Sequence, residues 1–175
     1  SKGKSRPWLG EFADYEWARF VAHSGRAARE DEWINPTLIL KRFSFAVPGF
    51  YQALLSATDL PTDSDEKAMS EKQPSCLAIF RQPDSESVKS LELQPAAFVL
   101  LEEWMAGKTP GDCAIFLAKE MNLSVEALLP GIEALIQTLK AEGILLKIPA
   151  IQKARSNRAK NPSRAVAPGK TSSRS

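Results

Sequence analysis

The sequence predicts an α+β protein in which an N-terminal helix and strand precede a smaller mixed unit and a basic tail. Three observations support this prediction. Apolar residues make up 43% of the 175 residues, which is enough to build a core. Residues 87–148 follow the order strand, helix, helix, helix, strand with short connections. After residue 148 the chain is rich in Lys, Arg, Ser and Pro without an apolar period, which is typical of a disordered tail.

The first segment, residues 1–58, is predicted to hold an aromatic helix and a strand, and the aromatic stripe of the helix either packs in the core or forms an interface with another protein. Apolar residues recur at helical spacing over residues 7–28, with charged residues on the remaining face. Residues 37–47 alternate enough to predict a strand, and the Pro-Gly pair that follows is expected to end it. One or two helical turns are expected over residues 50–57.

The next segment, residues 59–75, is acidic and interrupted by prolines, which predicts a long loop or linker. A winged-helix unit is predicted beyond it, at residues 76–148, and a disordered basic tail at 149–175. Within the unit, residues 76–81 and 87–93 are apolar segments on either side of a turn, which predicts a β-hairpin.

Three helices are predicted after this hairpin. Their ends are marked by a first-turn proline, by capping hydroxyls and by glycines, at Pro95, Gly107, Thr109, Ser124 and Gly143. Pro130 predicts a kink in the third helix or a later start. Residues 144–148 are predicted as a closing strand. This order is that of a small winged-helix unit, which offers a recognition helix and an exposed strand edge.

The charges are distributed unevenly along the chain. Residues 1–10 hold three basic residues and residues 147–175 hold eight, without an acid in either range. The remainder holds 12 basic and 21 acidic residues, a net charge of about −9. An acidic body is a poor match to DNA, because affinity for DNA depends largely on neutralising phosphates. The basic tail is still suited to nucleic acid or to an acidic partner.

The composition argues against an enzyme that works alone. His23 is the single histidine, so neither a His-based triad nor a multi-His metal site can form within one chain. Glu102 and Glu103 are adjacent and point apart on a helix, so they do not form an acid–base pair. Cys76 and Cys113 lack the spacing of a metal site or a disulfide framework. We expect no catalytic residues, no metal and no cofactor in this chain.

No apolar run in the sequence approaches the ~18 residues of a transmembrane helix, and no signal peptide is visible. A cytoplasmic location without membrane contact is therefore expected.

Residues 88–146 resemble the RiPP recognition element, a peptide-binding fold of ribosomal-peptide maturation. The resemblance rests on the strand Val88-KSLEL, the helix that starts Pro95-AAFVLL, the turn Gly107-KT and the closing Gly143-ILL. It implies that an extended peptide adds to the exposed edge at residues 88–93 and inserts side chains into a groove against the third helix.

Eight residues are candidates for this peptide-binding surface. They are Val88, Lys89, Ser90, Leu91, Leu93, Leu129, Ile136 and Lys140. The leucines and the isoleucine would line the groove, and Lys140 would meet acidic residues of the peptide. The alternative interpretation is that the apolar members of this set are ordinary core residues.

Residues 8–17, WLGEFADYEW, resemble a helix in the partner proteins of multinuclear non-haem iron-dependent oxidases. In that family the partner binds the oxidase and helps to deliver a precursor peptide whose cysteines become copper-binding groups. The resemblance implies a non-catalytic subunit, with the iron in the oxidase. The family's N-terminal helical domain, assigned to DNA binding, has no counterpart here. The acidic insert and the basic tail are additional.

The same resemblance suggests the aromatic helix as the surface that contacts the oxidase. The candidate interface residues are Trp8, Phe12, Tyr15 and Trp17. Trp17 lies about 160° around the helix from Tyr15, so the four rings cannot all face one narrow core.

The alternative function is that of a winged-helix DNA-binding or transcription-regulatory protein. A recognition helix needs Arg, Lys, Asn or Gln on an exposed face to read base edges. The third helix of the unit offers Gln137 and Lys140 against Glu126, Glu133 and Glu142. Sequence-specific nucleic-acid binding is therefore not expected from this helix.

Overall fold

The computed structural model describes residues 6–56, 67 and 71–148. These residues form five helices and three strands. They are α1 (Trp8–Ser24), β1 (Ile39–Phe45), α2 (Val47–Ser56), β2 (Lys72–Arg81), β3 (Val88–Leu93), α3 (Pro95–Met105), α4 (Pro110–Glu120) and α5 (Val125–Ala141). The predicted tail at 149–175 and most of the predicted linker at 59–75 lie outside the described residues.

The three strands form one antiparallel sheet in the order β1–β2–β3. The predicted α+β class is therefore confirmed. β1 comes from the N-terminal segment and pairs with β2, while β3 pairs with the other side of β2 as the predicted hairpin. The first 58 residues thus contribute a strand to the same sheet as the unit at 76–148.

The central strand β2 is buried on both faces of the sheet. Leu77, Ala78, Ile79 and Phe80 each expose 2% or less of their surface. Successive side chains of a strand point to opposite faces, so this run contributes to two separate cores. Leu77 and Ile79 belong to one core, and Ala78 and Phe80 belong to the other.

The first core, which we call the α1-side core, lies between the sheet and helices α1 and α2. Its buried members are Trp8, Tyr15, Ala18, Ala22, Phe43, Phe45, Val47, Leu77 and Ile79. Edge-to-face ring contacts connect its layers, with the Tyr15 ring centroid 6.0 Å from that of Phe43 and 5.5 Å from that of Tyr51.

The second core, which we call the α3-side core, lies between the opposite face of the sheet and helices α3, α4 and α5. Its largest fully buried side chains are Phe80, Phe98, Leu101, Trp104, Ile136, Leu139, Ile144 and Leu145. Trp33, from the segment before β1, packs on Trp104 with the ring centroids 5.7 Å apart. The N-terminal segment therefore contributes to both cores.

The predicted helix starts agree with the capping contacts. The Thr109 hydroxyl accepts a hydrogen bond from the Asp112 amide, and the Asp112 carboxylate accepts one from the Thr109 amide, which is a complete capping box. The Ser124 hydroxyl accepts from the Ala127 amide at the start of α5. Of the two alternatives for Pro130, a later helix start is wrong, because α5 begins at Val125 and contains Pro130.

Three predicted boundaries are corrected by the structure. α1 ends at Ser24 instead of residue 28. Pro48 does not merely end a strand, because α2 already begins at Val47 and includes the Pro-Gly pair in its first turn, where proline is tolerated. β2 begins at Lys72, inside the predicted linker, because residues 72–75 pair with the end of β1.

The closing strand predicted at 144–148 is also wrong. Leu145 forms a single antiparallel bridge with Ile34. The backbone amide of Asn35 donates to the Ile144 carbonyl at 2.9 Å, and the backbone amide of Leu146 donates to the Trp33 carbonyl at 2.8 Å. β1 already occupies the second side of β2, so the segment after α5 meets only the short stretch that leads into β1.

Candidate functional site

No described residue pairs with the outer edge of β3, which leaves it open to a further strand in this part of the chain. Among the described residues, β3 pairs with β2 alone. The Gln82 amide donates to the Ser87 carbonyl at 3.0 Å in the turn before β3. Gln82 and Ser87 continue the register of the strand pairs, in which Ala78 lies opposite Leu91. They are therefore a hydrogen-bonded pair of the same antiparallel ladder. Because hydrogen-bonded pairs alternate along an antiparallel ladder, this pair fixes which residues of β3 bond inward.

The alternation divides the backbone of β3 into two sets. The residues that bond to β2 are Lys89, Leu91 and Leu93. The residues whose amide and carbonyl groups point to the outer edge are Val88, Ser90 and Glu92. Each outward residue offers one donor and one acceptor, which is the template that an extended peptide needs in order to join a sheet.

On the α1 side of the sheet, a polar group of side chains lies at this edge. The Tyr15 and Ser90 hydroxyls are 2.9 Å apart. Nη1 of Arg19 lies 3.5 Å from both the Val88 carbonyl oxygen and the Ser90 hydroxyl oxygen. The Arg19 guanidinium carbon is 4.7 Å from the ring centroid of Tyr51 and 5.7 Å from that of Tyr15. A cation is therefore held against two rings beside the open strand.

On the α3 side of the sheet, β3 meets the end of α5. Lys89 forms an ion pair with Glu142, and both side chains are partly exposed. Leu91 and Leu129 are half-buried and pack against the α3-side core. An added strand would find the partly exposed side chain of Leu91 on this side.

The remaining three candidates already make contacts within the described part of the chain. Leu93 exposes 8% and Ile136 exposes 1% of its surface, so both are members of the α3-side core. The exposed Lys140 donates through Nζ to the Leu146 carbonyl. The candidates on β3 that present atoms to solvent are therefore Val88, Lys89, Ser90 and Leu91, while half-buried Leu129 lies in the first part of α5. Arg19 and Tyr15 were not predicted at this edge, because nothing in the local sequence relates α1 to β3.

The candidate interface residues of α1 divide between core and solvent. Trp8 and Tyr15 are buried in the α1-side core. Phe12 is half-buried, with its ring centroid 5.7 Å from that of Phe50. Trp17 is 63% exposed on the opposite side of the helix. The predicted angular separation of Trp17 from Tyr15 is confirmed.

Trp17 belongs to an exposed apolar face that we call the outer stripe of α1. Its large members are Leu9, Trp17, Phe20 and Val21, which are between 40% and 63% exposed. The Trp17 and Phe20 rings stack, with centroids 5.4 Å apart and planes 28° apart. Exposed Asp14 and Glu16 border the stripe. The predicted interface set did not include Leu9, Phe20 and Val21, although they lie within 90° of Trp17 on a helical projection.

Comparison of the chain with protein-family models, with curated proteins and with solved structures found no match. The chemistry of the two surfaces is therefore the basis for assigning a function.

Further observations concern membrane spans, metal sites and thiols in the part of the chain that the structure describes. No helix there has both the length and the apolar character that crossing a bilayer requires. No group of three or more His, Cys, Asp or Glu side chains comes together there as a metal site. Both cysteines are free thiols. Burial on α4 raises the pKa of the Cys113 thiol, which disfavours the reactive thiolate.

Proposed function

We propose that this chain is a non-catalytic partner subunit that binds a ribosomal precursor peptide and presents it to an iron-dependent peptide-modifying oxidase. The open outer edge of β3 is the observation that carries the proposal. The peptide joins the sheet as a fourth strand next to β3. The β2–β3 hairpin, the three helices that follow it and the ion pair between β3 and the end of α5 support an arrangement like that of a RiPP recognition element.

Strand addition suits a ligand that must be held without being altered. The outward groups of Val88, Ser90 and Glu92 supply main-chain hydrogen bonds that do not depend on the peptide's side chains. The side chains of the added strand then alternate between the α1 side and the α3 side of the sheet. Half-buried Leu91 favours an apolar side chain on the α3 side.

The outer stripe of α1 is proposed as the surface that contacts the oxidase. Contiguous exposed aromatic residues mark protein–protein contacts more often than isolated ones do. The stripe lies on the side of α1 that faces away from the sheet, so the core residues beneath it need not move for docking. The oxidase is named on the resemblance of residues 8–17, and the iron is expected in the oxidase.

The alternative function, DNA binding through α5, has weaker support. Glu126 and Glu133 are exposed on this helix, against exposed Gln137 and Lys140. The Lys140 ammonium group already donates to the Leu146 carbonyl. An acidic helix repels the phosphates that supply most of the affinity for DNA.

Strand addition is tested by selecting peptides that bind the chain and then blocking the outer edge of β3 with a proline substitution. Random dodecapeptides displayed on phage are selected on the full chain, and affinities of the synthesised peptides are measured by fluorescence anisotropy. Glu92→Pro removes an outward amide and places a ring at the edge, while no bond to β2 is lost. We expect affinity to fall at least about tenfold, since several main-chain hydrogen bonds are lost together.

Glu92→Ala is the matched control, because it removes the same side chain and keeps the amide. It should bind within about twofold of the wild type. Circular dichroism checks that both variants fold. A peptide N-methylated at successive positions provides the same test from the ligand side. Equal binding by the two variants, or a selection that yields no peptide, would contradict the proposal.

A further inference from the structure

The Arg19 guanidinium has most of its hydrogen-bonding capacity unused. It carries five N–H donors. Its two polar contacts, to the Val88 carbonyl and the Ser90 hydroxyl, are both 3.5 Å long, at the limit of a hydrogen bond. Among the ion pairs of the described residues, none includes Arg19. An arginine with unused donors beside an open strand is available to bind an anion.

The position of this cation is fixed by its surroundings. The guanidinium carbon lies 4.7 Å from the Tyr51 ring centroid and 5.7 Å from that of Tyr15, within the range of a cation–π contact. The Tyr15 ring is itself 1% exposed, and its hydroxyl lies 2.9 Å from that of Ser90. The group is therefore held at the edge before a ligand arrives, which reduces the entropy lost on binding.

A strand added to β3 runs about 4.8 Å beyond it. Every second side chain of that strand lies on the α1 side of the sheet. One of them comes alongside Ser90, whose hydroxyl oxygen is 3.5 Å from Nη1 of Arg19. A carboxylate at this position of the peptide is within reach of the guanidinium. At the same time, a peptide amide replaces Arg19 as the donor to Val88.

On the opposite side of the sheet, the described residues do not offer an equivalent unpaired charge next to β3. The Lys89 ammonium group is paired with Glu142. A carboxylate from the peptide would have to compete with that acid. The preference for an acidic side chain is thus confined to the α1 side, and the α3 side presents half-buried Leu91.

We propose that Arg19 is a specificity-determining residue that selects peptides carrying an Asp or Glu side chain on the α1 side of the added strand, next to Ser90. This inference rests on the proposed function and specifies its ligand as an extended peptide with an acidic residue at one defined position.

The test uses the peptides selected on the wild-type chain. We expect Asp or Glu to be enriched at one position of the peptides whose binding is lost in Glu92→Pro. Replacing that acid by its amide should lower wild-type affinity about tenfold, because hydrogen bonds to charged groups are among the stronger ones. In Arg19→Gln the acid and amide peptides should bind within about twofold of each other. Arg19→Lys, which keeps the charge without the planar fork, should retain part of the preference.

Arg42→Gln is the matched control. It removes the same charge from β1, at the opposite edge of the sheet, and breaks an exposed ion pair with Glu102 and a cation–π contact with Phe98. It should keep the wild-type preference for the acid. Peptides that bind the edge without an enriched acid, or an acid preference that survives in Arg19→Gln, would overturn the inference and leave the proposed function standing. A selection without any peptide sensitive to Glu92→Pro would overturn both.

Discussion

Asn35 connects three separated parts of the chain through one buried side chain. Its Nδ2 donates to the Arg81 carbonyl at 2.9 Å and to the Gly143 carbonyl at 3.1 Å. Its Oδ1 accepts from the Thr37 amide at 3.0 Å and from the Thr37 hydroxyl at 2.7 Å. The end of β2, the end of α5 and the start of β1 are thereby held together.

Asn35→Ala is expected to lower the free energy of unfolding by about 3 kcal/mol. Buried donors and acceptors that lose their partners incur the full desolvation penalty. Urea denaturation followed by circular dichroism measures the change. Gln137→Ala, at an exposed position of α5, is the control and should stay within about 0.5 kcal/mol of the wild type. A loss of less than about 1 kcal/mol for Asn35→Ala would show that these bonds contribute little.

The role of Asn35 illustrates what the sequence can predict for a single residue. Thr109 and Ser124 were predicted as helix caps because their partners lie three residues away. The local sequence around Asn35, which precedes Pro36, indicates only a turn. Its partners Arg81 and Gly143 are 46 and 108 residues away, so no local pattern identifies them. The same reason explains why Arg19 was not connected to β3.

At the scale of the element, α1 is apolar on two opposite faces. Trp8 is 6% exposed on the face that packs on the sheet, and Trp17 is 63% exposed on the other face. The apolar spacing predicted the helix itself. It did not determine which aromatic residues face the core, because this depends on where β1 and β2 lie beneath the helix.

Two tryptophan substitutions on α1 should affect different properties, stability for Trp8 and partner binding for Trp17. Trp8→Ala leaves a cavity in the α1-side core and is expected to cost about 3 to 5 kcal/mol of unfolding free energy. Trp17→Ala should change stability by about 0.5 kcal/mol or less, since its ring is mostly solvent-exposed. It should nevertheless weaken co-purification with a co-expressed iron-dependent oxidase. Chemical denaturation and pull-down measure the two properties.

Phe20→Ala should behave like Trp17→Ala, because the two rings stack in the outer stripe. Ser24→Ala, near the end of the same helix and without an aromatic ring, is the control for the pull-down. If Trp17→Ala and Phe20→Ala both retain full co-purification, the outer stripe is not the contact surface.

At the scale of the whole molecule, β2 connects two cores that would otherwise be independent. Four consecutive residues of one strand are shared between the α1-side core and the α3-side core. Neither core can lose its packing without exposing one face of the strand that supports the other. The described part of the chain is therefore expected to unfold in one cooperative transition.

Two reporter variants test this expectation. One keeps Trp8 as its only tryptophan, and the other keeps Trp104, with the remaining tryptophans replaced by Phe. Each variant is denatured with urea and followed by tryptophan fluorescence and by circular dichroism. In each variant, the unfolding midpoint from fluorescence should coincide with the midpoint from circular dichroism. Separate fluorescence and circular-dichroism midpoints in either variant would indicate that the cores unfold independently.

The sequence predicted the α+β class, the β2–β3 hairpin and the three helices after it, because each depends on local periodicity and capping. It did not predict that β1 joins β2, or that residues 144–146 meet the segment before β1. Both pairings connect stretches that are far apart in sequence. The final sheet order depends on which strand occupies each side of β2, and this is decided by the packing of the whole chain.

The edge of β3 that no described residue pairs with also has a consequence for the protein's own solubility. Two copies laid side by side would satisfy the same outward groups, which is a common origin of aggregation. Such a pair, centred on Ser90, would bring two Arg19 guanidinium groups towards each other, and like charges repel. The positive charge of Arg19 would thus discourage self-association through β3 while leaving β3 accessible to a negatively charged peptide.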